Sequence, residues 1–540
     1  MYKSGTTGTF GIVTTQLIDS FRFVQDGYIT QSLHVNAGEY LTVVMKPQPA
    51  GRPGVRLNRL SSATRGMMQG DHRKWFAGDE TYSDLVENHF INANRFPNTG
   101  LSLNIDRASY SNIRRFLMMN SAVPPDAVRI EEMLNYFNLN YTKPPGSNDF
   151  SIRSKLTSCP WNTANQLFYV NVSARKLDLS ALPPTHLVFL IDVSGSMDMT
   201  NRLPLLKSAF KLLVANLRAK DSVAIVVYGG TTGIILNTTS GNDKDTILKT
   251  IDRLEPGGST PGESGIKLAY SVAKHHFIPG GNNRVILATD GDFNVGLKTE
   301  TELEDMISQH RQSGIYLTCL GVGMGNYKDS KIQTLARKGN GNFAYFDNFA
   351  EAEKVLLKEF TQTLYAVVND AYMNVEFNPQ FVKEYRLIGF DNKVGALVDT
   401  MAVVEGGEVG SGYSMVGIFE IEPTKKDTVI VERLAKINLH YKPVGDSVRK
   451  TFSAQAPYIL DDIQTLEPSF RFSAAVAWFG LLLKTSPFLK NTNWNELALL
   501  AAGSADKNDP SQAEFITLIE KAKTIYTKSK RKKKQQRDEE

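Results

Sequence analysis

Between residues 185 and 365 the chain alternates short apolar runs with stretches of helical period. The runs at 187–191, 222–228 and 285–289 are nearly continuous in Val, Ile, Leu, Ala and Phe, the pattern of strands buried on both faces. Further candidates follow at 315–320 and 342–346. Between them lie segments such as LPLLKSAFKLLVANL, whose apolar residues recur at helical spacing. Strands separated by crossover helices form a mostly parallel sheet. The expected fold class is therefore α/β: a doubly wound, mostly parallel, Rossmann-like sheet over 185–365.

The flanking regions read differently. Residues 10–46 alternate as short strands, and 48–92 are rich in Gly, Arg, Ser and Asn with little apolar periodicity, as in a linker. An α+β segment is expected over 93–184: strand-like LSLNID, helix-like ASYSNIRRFLMM, a second helix after Pro124 and Pro125, and paired strands over 150–173. Its Asp106, Glu131 and Glu132 read as a solvated helix face. Strand patterns from 366 to 460 suggest a small antiparallel β-sandwich, and 461–527 a helical region. The tail from 528 to 540 reads as solvated and disordered.

Composition narrows the classes. At 540 residues the chain exceeds one hydrophobic core, and 41% hydrophobic residues with 10% aromatics describe folded material. The longest apolar stretch, AAVAWFGLLL at 474–483, is too short to span a bilayer. Net charge is +5, of which the tail from Lys528 carries +4, so no global field for nucleic acid exists. Cys159 and Cys319, in unlike surroundings, read as free thiols, and the eight histidines fall in no metal-ligand spacing and read as ordinary surface or helix-end residues.

The chemistry concentrates where the first apolar run of the α/β region ends. In LVFLIDVSGSMDMT, Asp192, Ser194 and Ser196 form D-x-S-x-S. Alone this would be a capping turn, since Asp and Ser favour such positions. Thr260, in the glycine-rich loop GGSTPGESG, and Asp290, ending ILATD, supply further oxygens, and an oxygen-only set suits a hard cation. Asp198 falls outside the pattern and Asp292 reads as a turn cap. GVGMGN at 321–326 imitates a dinucleotide fingerprint, but its sixth position is Asn326 and it lies late in the domain.

The five positions resemble the metal-ion-dependent adhesion site of von Willebrand factor type A domains. The resemblance implies that Ser194, Ser196 and Thr260 offer hydroxyl oxygens to Mg²⁺ (or Mn²⁺ or Ca²⁺), directly or through water. It assigns to Asp192 and Asp290 the balancing of its charge, and it leaves one coordination position open. Phrases over 94–150, with YRLIGF and EVGSGYSM, resemble a bacterial von Willebrand factor A family with a shared N-terminal segment and C-terminal appendage. Gly27, Tyr28 and Gln31, with Val43 to Pro47, resemble the last strands of a carboxypeptidase-regulatory-like β-sandwich. Residues 1–47 are too few for that sandwich, so upstream strands and a signal peptide are expected. What these likenesses imply is a non-enzymatic, metal-dependent interaction protein of the cell envelope, or secreted, binding a partner's Asp or Glu. Alternatives are a cytoplasmic assembly scaffold and a metal-assisted hydrolase, for which the sequence offers no general base.

Overall fold

The computed structural model describes residues 18–23, 30–36, 43, 80–82, 86–139, 144–145, 148–178, 180, 182–258, 262–291, 300–324, 327–359, 362, 365–390, 406–424, 432–446 and 448–539. The chain divides into two compact units, Met1–Arg59 and Leu60–Glu540. In the first, strands Ile18–Phe23 and Gln31–Asn36 pair antiparallel, with Ser20 Oγ and His34 Nδ1 2.8 Å apart. Gly27, Tyr28 and most of the Val43 to Pro47 phrase lie outside the described residues.

The larger unit holds an α/β sheet, a β-sandwich and a helical layer. The α/β sheet runs in the order Phe343–Phe346, Ile315–Val322, Asn282–Thr289, Thr185–Asp192, Ser222–Tyr228, Gly233–Ser240. All neighbours are parallel except the last pair. The five expected strands are present. The sixth, Gly233–Ser240, has no counterpart in the apolar pattern: an antiparallel edge strand with Ile234 and Ile235 exposed, it lacks the continuous run that marks its neighbours. Alternation explains the core. Leu187, Phe189 and Ile191 pack with Leu206 and Phe210 on one face, while Val188 and Leu190 pack with Ile266 and Tyr270 on the other.

The sandwich does not follow the boundaries drawn from sequence. One of its sheets combines Asn98–Ser102 with Ala366–Phe377, Gly407–Gly410, Arg433–Pro443 and Lys450–Pro457. The other combines Ile91–Asn92, Phe150–Ser158 and Gln166–Ala174 with Val382–Leu387, Ser414–Pro423 and Leu460–Asp461. The segments before and after the α/β region therefore share one hydrophobic core. Every residue of Gln166–Ala174 is buried because Phe168 and Val170 face the opposite sheet, while Leu167 and Tyr169 face helices. Those helices include Ala108–Met118, Ile130–Leu134, Pro468–Lys484 and Trp494–Ala502, packed through Phe137, Phe472, Phe479 and Phe515. No helix among the described residues is long and apolar enough to cross a membrane. Cys159 and Cys319 are free and buried.

Four expectations are corrected. The linker reading of 48–92 fails at its end, where the Glu80 carboxylate is buried 2.7 Å from Arg115. Asp106 and Glu132 are buried and Glu131 half-buried against Gly389, so they form no solvated face. Arg129 bonds Glu132 and also Asp329 (2.6 Å) at the start of helix Asp329–Lys338, while Gln333 Nε2 joins Asp106 (3.0 Å) to Glu132 (3.1 Å). Burial pushes the Asp106 carboxyl up to about 6. The tail is helical: Pro510–Glu539 continues through it, since Lys, Arg, Gln and Glu favour helix and no Gly or Pro interrupts. His186 has no surface role, being fully buried with Nδ1 2.9 Å from Ser222 Oγ.

This burial has measurable consequences. Asp329→Ala leaves the Arg129 guanidinium buried beside one carboxylate where it had two, and should cost about 3–5 kcal/mol in urea unfolding. A loss under ~1 kcal/mol would contradict the seam's structural weight. Burial, then the nearby His276, depresses the His186 imidazole from 6.5 to about 4. The unfolded chain then takes up a proton that the fold refuses, so stability present above pH 6.5 is lost as pH falls toward 4. His186→Gln should flatten that loss by about 2 kcal/mol in melts across the window.

Candidate metal centre

Strand Thr185–Asp192 lies between Ser222–Tyr228, the next in sequence, and Asn282–Thr289, reached later. The chain leaves it in opposite directions, and the diverging connections open a crevice at the carboxyl ends of the strands. Asp192 closes the central strand, and Asp290 follows its neighbour's last residue, with Ile191 in register with Ala288. The topology thus places two carboxylates side by side, 1% and 2% exposed.

Asp192 is held from three sides. Its Oδ1 accepts from the Ser194 N–H (2.9 Å), and its Oδ2 from Tyr228 OH (3.0 Å) and Thr289 Oγ1 (2.9 Å). Burial raises its carboxyl above the usual range, the bonds from Ser194 and Thr289 oppose that rise, and the Asp290 charge adds to it.

The loop after Asp192 is packed backbone to backbone. Val193 N–H donates to Tyr228 O (2.8 Å), Gly257 N–H to Val193 O (2.6 Å), and Gly195 N–H to Gly258 O (3.1 Å). Gly229, at φ +117°, has no alternative residue, since a Cβ there would lie 2.2 Å from Ser194 N. The result is a fixed loop presenting Ser194 Oγ and Ser196 Oγ 3.0 Å apart, Ser194 half-buried and Ser196 exposed.

Of the five predicted positions, the structure brings together Asp192, Ser194, Ser196 and Asp290. Thr260 and Asp292 lie outside the described residues. Asp198 sits exposed in the turn Gly195–Asp198. Among the described residues, no three His, Cys, Asp or Glu side chains gather as a metal-ligand cluster.

Sequence reasoning missed Tyr228, Thr289 and above all Arg202. Its Nη1 donates to Asp290 Oδ2 (2.6 Å) and Ser196 O (2.6 Å), and its Nη2 to Met324 O (3.0 Å). Both partners of the ion pair are buried. The residue opens an apolar helix, Leu203–Ala215, where an arginine ordinarily reads as solvent-facing. Its signal lay in the GVGMGN glycines. Gly323, at φ +85°, would put a Cβ 2.6 Å from Arg202 Nε, and Gly321 would put one 2.5 Å from Tyr327 OH. Side-chain packing accounts for both glycines without a nucleotide.

The von Willebrand factor type A domain family matches residues 186–361, a further von Willebrand factor family 77–169, and the family described as "Uncharacterized protein YfbK, C-terminal" 362–525. Uncharacterized protein YfbK of Escherichia coli (strain K12) is 37% identical over 472 residues, covering 82% of this chain and 81% of that protein. An uncharacterized protein of Synechocystis is 25% identical, over 40% of this chain and 51% of its own length. The magnesium-chelatase 67 kDa subunit of Chlorobaculum parvum is 26% identical, over 32% of this chain and 30% of its own. The type A domain supports a protein-interaction role. The chain belongs to the family of bacterial von Willebrand factor type A domain proteins that includes Escherichia coli YfbK.

Proposed function

We propose that the protein is a divalent-metal-dependent interaction protein of the bacterial cell envelope that binds an acidic side chain of a partner protein. The observation carrying this reading is the pair of buried carboxylates, Asp192 and Asp290, facing two accessible hydroxyls at the switch point of the sheet. The residues present fit a hard cation. Two carboxylates buried side by side repel each other, a repulsion that a cation between them relieves, and every donor is oxygen. Ser194, Ser196 and Thr260 would hold the ion, with Asp192 and Asp290 balancing its charge. Mg²⁺ is the first choice, with Mn²⁺ and Ca²⁺ sharing the oxygen preference. When bound, the ion supplies an open position for a carboxylate.

The protein's own residues shape what reaches that position. Tyr228 and Thr289 fix Asp192 from below, and the glycine-backed loop holds the hydroxyls outward. Met199 and Met324 are 56% and 39% exposed; the Arg202 N–H donates to the Met199 carbonyl and the Arg202 guanidinium to that of Met324. Flexible thioethers suit a rim that adapts to apolar neighbours of the incoming acid. The reading is one of binding, with the hydroxyls and carboxylates committed to the ion and none left to act on a substrate.

Calorimetric titration of the full chain with Mg²⁺ should show one saturable ion in the wild type and none in Ser196→Ala, with unchanged thermal stability of the metal-free proteins. Equal binding in both, or binding in neither with or without a carboxylate ligand, would overturn the metal reading. Cell fractionation tests the compartment separately: recovery of the protein in the cytoplasm alone would remove the envelope assignment.

A further inference from the structure

Arg202 is a resident cation inside the candidate metal site. An arginine guanidinium is a permanent cation. It cannot swing clear without cost: Nη1 is shared between Asp290 Oδ2 and Ser196 O, Nη2 holds Met324 O, and the Gly323 backbone closes over Nε. The side chain is 7% exposed. Asp192 and Asp290 contribute two negative charges, and Arg202 already offsets one. A divalent ion would therefore meet a site of net charge −1, and the loaded site would carry +1, where two carboxylates alone would be neutral.

We propose that Arg202 keeps the site's intrinsic affinity for a divalent ion low and makes retention of the ion depend on the partner's carboxylate. This rests on the metal-site reading above. A positive charge fixed on Asp290 repels the incoming ion and withdraws one carboxylate oxygen from it, and in a buried site that repulsion is poorly screened. An acidic side chain entering the open position returns the site to neutrality. Ion and partner then bind cooperatively, each raising the affinity of the other by the same factor. Arg202 acts as a positioning and charge-setting residue, because the same three hydrogen bonds tie together the serine loop, the end of strand Asn282–Thr289 and the loop after Ile315–Val322.

The test is Mn²⁺ titration of the full chain by calorimetry, with and without glutarate as a soluble carboxylate probe. Wild type should bind weakly and gain affinity with glutarate. Arg202→Gln should bind Mn²⁺ about tenfold more tightly without glutarate, and glutarate should then add little, as expected from removing one buried positive charge. Arg202→Lys, which keeps the charge, should follow wild type within about threefold. A purely structural clamp would make both variants bind more weakly, and that outcome overturns the proposal. An equal glutarate effect in wild type and Arg202→Gln overturns it too. If Arg202→Gln fails to fold, the wild type alone decides, since absence of any gain with glutarate is incompatible with the proposal. Absence of binding in wild type, Arg202→Gln and Ser196→Ala alike, with or without glutarate, instead removes the metal reading itself.

Discussion

Two carboxylates buried side by side at the ends of adjacent parallel strands are the constraint around which this end of the molecule is organised. Carboxylates buried this close together repel each other and lose the solvation that water would give them, so they need compensation. The fold supplies it with hydrogen-bond donors on Asp192, namely the Ser194 N–H, Tyr228 and Thr289, and with a full positive charge, Arg202, on Asp290. These donors come from separate segments of the chain. The site therefore exists only when the sheet is assembled in this strand order, and its geometry is inherited from the backbone and not from flexible side chains.

A second set of buried charges ties this domain to the rest of the larger unit. Arg129 bridges Glu132 and Asp329, Arg114 binds Glu351, and Arg284 binds Glu408 of the sandwich. The loop after strand Ile315–Val322 joins the two sets. Met324 O takes a bond from Arg202, and a few residues on, Asp329 receives Arg129. Thr81 N–H donates to Tyr327 O between them. The N-terminal segment is thus bonded to the same loop that borders the candidate metal centre.

The parts of this design that were legible in the sequence are those written as local pattern. Continuous apolar runs marked the five principal strands, and Asp192 and Asp290 stand in the sequence where two of those runs end. What was hidden depends on partners distant in sequence. A charged helix face looks the same whether it meets water or a buried arginine, so Asp106 and Glu132 read as solvated. Strands Asn98–Ser102 and Gln166–Ala174 carry no mark saying that they pair with residues beyond 365. Arg202 was the costliest omission, because one arginine before an apolar helix has no local signature. Only the crowding at Gly323 betrays it.

The same charges bear on whether the end of the α/β domain can move. A shift of its last helix would have to be relayed or resisted by the elements packed against it. The structure forms Phe349–Glu353 as α-helix and Lys354–Lys358 as a π-helical turn. Glu351 accepts from Arg114 (2.7 Å) and Tyr136 OH (2.6 Å), Lys354 donates to Tyr136 O (2.6 Å), and Arg107 pairs with Glu359. Arg114 also binds Asp347 just before the helix. Breaking one buried pair by displacing a partner costs about 3–5 kcal/mol, whereas coupling between ligand sites is typically about 1–3 kcal/mol. A shift of this helix with Ala108–Met118 left in place would therefore cost more than a typical coupling free energy. A response to a partner that keeps these contacts intact moves the N-terminal helix and this segment as one body or remains within the Arg202 loops.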